Sequence, residues 1–173
     1  MKLPFVVALL VAPSVAIAGG FGHWAFGMTA AQIRAVTDHG PYDAFTNGDL
    51  ETYNATLCDQ KQNVQFYLKD GVLWRIVVVT YEGTSSEDAA RRWAWTYECL
   101  YKLYGTLETP DLKGTNLQEL AAQAQLAVAA GAKVQMAPQS QPKGNFVFSS
   151  FNTYEVKGVT TYRVWVNYDR PSS

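Results

Sequence analysis

The stretch from Asn63 to Gly105 constrains the fold of this chain most. Asn63–Lys69 alternates, with Val64, Phe66 and Leu68 on one face and Gln65, Tyr67 and Lys69 on the other. A two-residue period of this kind marks a half-buried strand. Asp70-Gly71 follows, a dipeptide that supplies the positive φ needed at both positions of a two-residue hairpin turn. Val72–Tyr81 is rich in β-branched residues and reads as the returning strand. Ser85-Ser86-Glu87-Asp88 then opens a helix, because hydroxyls cap free amides and carboxylates suit the positive end of the dipole. Gly105 ends it. Ala90, Trp93, Tyr97, Leu100 and Tyr104 recur at helical spacing, so this helix is expected to cover the apolar face of the hairpin.

The rest of the chain extends the pattern. Thr29 and Gln32 have the spacing of a capping box, predicting a helix through Ile33 and Val36 to about His39, stopped by Gly40-Pro41. Leu50–Leu57 reads as a strand. Asn116 or Thr115 caps a second, alanine-rich helix over Leu117–Ala130, closed by Gly131. Lys133–Ala137, Asn145–Phe151 and Val159–Tyr168 read as strands, and in the last of these Arg163 and Trp165 lie opposite Tyr162, Val164, Val166 and Tyr168. Gly19–Ala25 reads as an extended arm, Gln139–Lys143 as a mobile polar linker and Asp169–Ser173 as a flexible tail. The expected fold is α+β: one domain over 19–168, with an antiparallel sheet packed against helices. A coarse helix-then-strands order recurs in the halves 26–105 and 115–168, as tandem α-β-β-β pseudo-repeats would give.

Met1-Lys2, an apolar run from Leu3 to Ile17 and the small-residue pattern Ala16-Ile17-Ala18 have the form of a secretory signal peptide over 1–18. The run is shorter than the roughly 20 apolar residues of a membrane span and is broken by Pro4 and Pro13, so no span is expected after cleavage. The expected location is periplasmic or secreted. The two cysteines, Cys58 and Cys99, suit a disulfide in an exported chain; two separate buried thiols are the alternative. The formal charge of −1 lacks the basic stripe of a nucleic-acid binder.

Gly27-Met28-Thr29-x-x-Gln32-Ile33 followed by Gly40-Pro41, and later Phe66-Tyr67-x-x-Asp70-Gly71-x-Leu73-x-x-Ile76, resemble the opening helix and the strand–turn–strand of SmpA/OmlA and β-lactamase-inhibitor-protein-like (BLIP-like) domains. The resemblance covers about residues 26–80. It implies a small exported scaffold that binds other proteins. The chain departs from the family in two ways. The lipobox cysteine of the outer-membrane assembly lipoproteins is missing. The turn that compares with the inhibitors' acidic, tyrosine-rich loop offers Asp59 without neighbouring tyrosines, so no inhibitory residue carries over.

Catalytic patterns are sparse. His23 and His39 stand in no motif with a nucleophile and an orienting acid. No serine lies in a G-x-S-x-G elbow, no glycine-rich loop precedes a helix as a phosphate cradle, and no Cys/His spacing suits a metal. No cofactor is expected, and an enzyme ranks last. The aromatic surplus is more informative. With strict alternation, Trp74, Ile76 and Val78 share one face of their strand, and Leu73, Val77 and Val79 share the other with Arg75. One face must meet the helices. The other meets a second layer, a partner or a ligand, unless the C-terminal hairpin covers it. Trp and Arg are common interface anchors, so Trp74, Arg75 and Trp165 are the candidate interaction surface of a protein-binding module in the cell envelope. The alternative is an aromatic groove for a small ligand or peptidoglycan fragment.

Overall fold

A computed structural model describes residues 19–171. The expected signal peptide, 1–18, lies outside the described residues, as do Ser172 and Ser173. The chain opens with a short hairpin, β1 (Gly20–Phe21) and β2 (Trp24–Ala25), where an extended arm was expected. Helix α1 (Ala30–Arg34) begins at the expected capping box: the Thr29 amide donates to Gln32 Oε1 at 2.9 Å and the Gln32 amide to Thr29 Oγ1 at 3.4 Å. The helix is shorter than its pattern, ending at Ala35 and giving way to a 3-10 turn at Thr37–His39.

The strands β3 (Asp43–Ala44), β4 (Leu50–Leu57), β5 (Gln60–Lys69) and β6 (Val72–Gly83) lead into α2 (Ser86–Tyr104). Then come β7 (Leu107–Glu108), α3 (Leu117–Ala129), β8 (Val134–Pro138), β9 (Phe146–Val156) and β10 (Val159–Asp169). Eight strands form one sheet in the order β3-β4-β5-β6-β10-β9-β8-β7, with every pairing antiparallel. The α+β expectation therefore holds. Each half of the chain supplies four of the eight strands, β3–β6 and β7–β10, and the last strand of each, β6 and β10, pair at the centre.

All three helices contribute to one core. Ile33 of α1, Trp93 and Leu100 of α2, and Ala124 and Val128 of α3 join Val64, Phe66, Ile76, Val78, Val164 and Val166 of the sheet. Side chains alternate across a strand, so burial of this set on one face fixes which residues the other face presents. The opening hairpin caps the same core: Phe21 stacks on Tyr168 with ring centroids 4.9 Å apart, and Trp24 on Phe66 at 4.8 Å.

The turns follow their sequence signals in part. Asp70 and Gly71 have φ of 54° and 78°, as the β5–β6 turn requires. Asn116 caps α3, its Oδ1 accepting from the Glu119 amide at 3.0 Å. Ser85 caps α2, with Oγ accepting from the Asp88 amide at 3.1 Å. The β4–β5 turn is Cys58-Asp59, with φ of 44° and 63°, so β5 begins at Gln60 rather than Asn63. Cys58 bonds to Cys99 on α2, with Cα atoms 5.9 Å apart, inside the usual range for a disulfide. This bond pins the outer hairpin to the helix layer. Gln139–Lys143 is tied down: the Gln141 side chain donates to the Val147 carbonyl at 2.9 Å and accepts from its amide at 2.6 Å. The last strand includes Asp169, and the Arg170 amide donates to the Trp74 carbonyl at 3.1 Å, so pairing continues into the segment read as tail.

Candidate interaction surface

The helix-free face of the sheet is built by the alternate residues of β5, β6 and β10. Two irregularities in β6 decide which of its side chains reach it. Phe66 pairs with Ile76 and Tyr67 with Arg75, but Leu68 pairs with Leu73, which leaves Trp74 as an extra residue. The bulge shifts the alternation by one. Leu73 and Ile76, three apart, are both fully buried in the core, where strict alternation would have parted them. The expectation that Trp74 shares a face with Ile76 and Val78 is corrected accordingly. A second extra residue, Thr80, sits between Val79 and Tyr81, which pair with Trp165 and Val164. Its hydroxyl lies 3.0 Å from that of Thr96 on α2 and 3.2 Å from the Val164 carbonyl, so this polar residue is satisfied inside the core.

Trp74 and Arg75 lie near the end of the β6–β10 ladder, where Arg75 pairs with Asp169, whereas Trp165 lies four residues further along it, opposite Val79. Arg75 forms a two-pronged pair with Asp169, Nε to Oδ1 at 2.6 Å and Nη2 to Oδ2 at 2.5 Å. This pair raises the Arg75 pKa above its ordinary value, its hydrogen bonds outweighing partial burial. The same guanidinium lies 4.5 Å from the centre of the half-buried Trp74 ring. Trp165, between the buried Val164 and Val166, is also half-buried, and the Arg163 guanidinium lies 5.3 Å from its ring centre. Both arginines thus lie over tryptophan rings within cation–π distance, an arrangement that lowers the entropy lost when such side chains meet a partner.

On the same face runs a polar groove of about 590 Å³, lined among others by Gln65, Tyr67, Glu82, Tyr154 and Arg163. Arg163 is its focus: Nη2 donates to Gln65 Oε1 at 2.9 Å, and Nε lies 3.2 Å from Glu82 Oε2, a charge contact rather than a directed hydrogen bond. Tyr67 donates to the same Gln65 oxygen at 3.0 Å. One wall is the Phe45–Asp49 loop. The buried Asp49 carboxylate fixes it, accepting from the Leu68 amide at 2.7 Å and from Asn47 Nδ2 at 2.8 Å. Phe45 and Tyr154 remain exposed on either side. This groove was not legible in the sequence, because its walls come from β9, β10 and a loop more than 100 residues away.

His23 and His39, read as isolated, meet with ring centroids 5.1 Å apart. Among the described residues there is no group of three or more His, Cys, Asp and Glu placed to hold a metal ion, and no helix is long and apolar enough to cross a membrane. In comparisons with known proteins, no family model, no curated protein and no solved structure matches this chain.

Proposed function

We propose that this chain is an exported, non-catalytic module that binds another envelope protein through the open face of its sheet, around Trp74, Arg75 and Trp165. The observation that carries the reading is one-sided packing. The helices and the opening hairpin cover one face, whereas the other presents two tryptophans, each under an arginine. Such groups are the usual anchors of protein interfaces. The resemblance to SmpA/OmlA and BLIP-like domains points the same way. So does the strand order, which suits two α-β-β-β pseudo-repeats joined at β6 and β10. A disulfide is in keeping with an oxidising compartment, and hence with export by the leader at 1–18. Affinity capture from an envelope extract is the test: the chain retains a protein that a Trp165→Ala, Arg75→Ala double variant loses. Copurification of a small molecule with no protein partner would contradict the reading.

A second reading, a binder of a small ligand or peptidoglycan fragment, is favoured by the groove itself. Its tyrosines and mixed hydrogen-bonding groups suit a polar ligand with flat apolar faces. Saccharide fragments that shift resonances of Tyr67 and Tyr154, leaving those near Trp165 unmoved, would favour it over protein docking.

A further inference from the structure

We infer that His23 and His39 form a two-histidine site for a divalent transition-metal ion, zinc being the natural probe. The residues lie on separate elements. His23 is the second residue of the two-residue turn joining β1 and β2, and His39 ends the 3-10 turn that leads toward β3. Two imidazoles on one tetrahedral ion, with bonds of about 2.0–2.1 Å and ring centres about 1.1 Å behind each nitrogen, have centroids about 5 Å apart. The observed separation is 5.1 Å.

A second, independent observation concerns the tautomer of His39. Its Nδ1 lies 3.1 Å from the Asn54 carbonyl oxygen. A carbonyl only accepts, so Nδ1 carries a proton, and in the neutral imidazole Nε2 is then the nitrogen with the lone pair. An Nδ1–H held by a carbonyl with Nε2 left over is the usual arrangement of a metal-ligating histidine. The frame around His39 is also fixed. Thr52 Oγ1 donates to the His39 carbonyl, Asn54 Nδ2 donates to the Gly40 carbonyl at 2.7 Å, and the buried Trp24 ring lies 5.2 Å from the imidazole. His23 is exposed, so an ion can reach the pair from solvent. With two protein ligands, water fills the remaining positions, which makes the site exchangeable rather than a closed structural one. Neutral imidazole ligands select zinc, copper or nickel over magnesium or calcium. Bound there, the ion would brace the opening hairpin against the turn that β4 holds.

The test is calorimetric titration of Zn²⁺ into the full chain without a polyhistidine tag. One ion per chain is expected, with a rise in melting temperature. His39→Asn keeps an amide donor where Nδ1–H stood but removes Nε2, and His23→Asn alters an exposed side chain. Each should weaken zinc at least about tenfold, since even outer-shell losses reach that size. Absence of zinc-specific heat would overturn the inference. So would unchanged affinity in His23→Asn, which marks a single-histidine association and decides the matter even if His39→Asn fails to fold.

Discussion

Two residues show how single side chains act on this fold beyond their immediate contacts. Tyr168 is buried in the core with its hydroxyl 3.5 Å from that of Tyr104. Burial pushes the Tyr168 phenol well above its ordinary value of 10.0, and burial raises Tyr104 as well. The folded chain therefore keeps these protons at a pH where the unfolded chain has released them, and stability falls as pH rises. Unfolding midpoints should be level below about pH 10 and decline above it. Tyr168→Phe should flatten that decline while changing neutral-pH stability by about 1 kcal/mol. An unchanged alkaline slope in the variant would remove Tyr168 from the account. Cys58 is the second case. Its φ of 44° is one that non-glycine residues with a bulky Cβ rarely adopt. The disulfide to Cys99 ties the turn to α2. Nothing in the composition marks Cys58 as a turn residue, so the sequence shows where β4 ends but not that Cys58-Asp59 is a two-residue turn with β5 starting at Gln60.

At the level of elements, local signals were legible and long-range ones were not. The capping box at Thr29, the caps at Ser85 and Asn116, the Asp70-Gly71 turn and the stripe of α2 are set by residues within a few positions of each other. Local chemistry is enough to specify them. The two irregularities of β6 are different. They depend on pairing with β5 and with β10, some 85 residues later in the chain, and they overturn the alternation expected for Trp74. Likewise β3 and the opening hairpin are too short to show a period: β3 exists through its pairing with β4 at the sheet edge, and the hairpin through packing of Phe21 and Trp24 on Tyr168 and Phe66. The disulfide joins elements 41 residues apart, and closing a loop of that length contributes about 4 kcal/mol by the loop-entropy argument. A Cys58→Ser, Cys99→Ser double variant should lose about that much stability in denaturant melts. Coincident melts would show that the link adds nothing to the native sheet–helix contact.

For the whole molecule, the decisive feature is asymmetry between the two faces of one sheet. Its helix layer is complete, and the interior positions of β4, β5, β6, β9 and β10 are filled from one side only. The opposite face relies on its own side chains. Val77 and Val79 are almost buried there without a second layer, among neighbours that include Arg75 and Trp165. The sequence carried the composition of that face, two tryptophans beside arginines, but not its location. Only the central pairing of β6 with β10 sets Arg75 and Trp74 beside Asp169 and places Trp165 opposite Val79 on the neighbouring strand. If this face is an anchor, Trp165→Ala should weaken the partner by about 2 kcal/mol, roughly thirtyfold. Its melting temperature should change little, because the ring is half-exposed. Arg75→Ala should cost about 1 kcal/mol of stability at most, since its pair with Asp169 is partly open to solvent.

The most direct measurement is photo-crosslinking in an intact envelope from two positions of the same chain. One crosslinker replaces Trp165 at the centre of the open face; the other replaces Leu126, which is 72% exposed on α3. The account predicts a discrete protein adduct from position 165 and none from position 126. No adduct from position 165, or the same adducts from both positions, would contradict it.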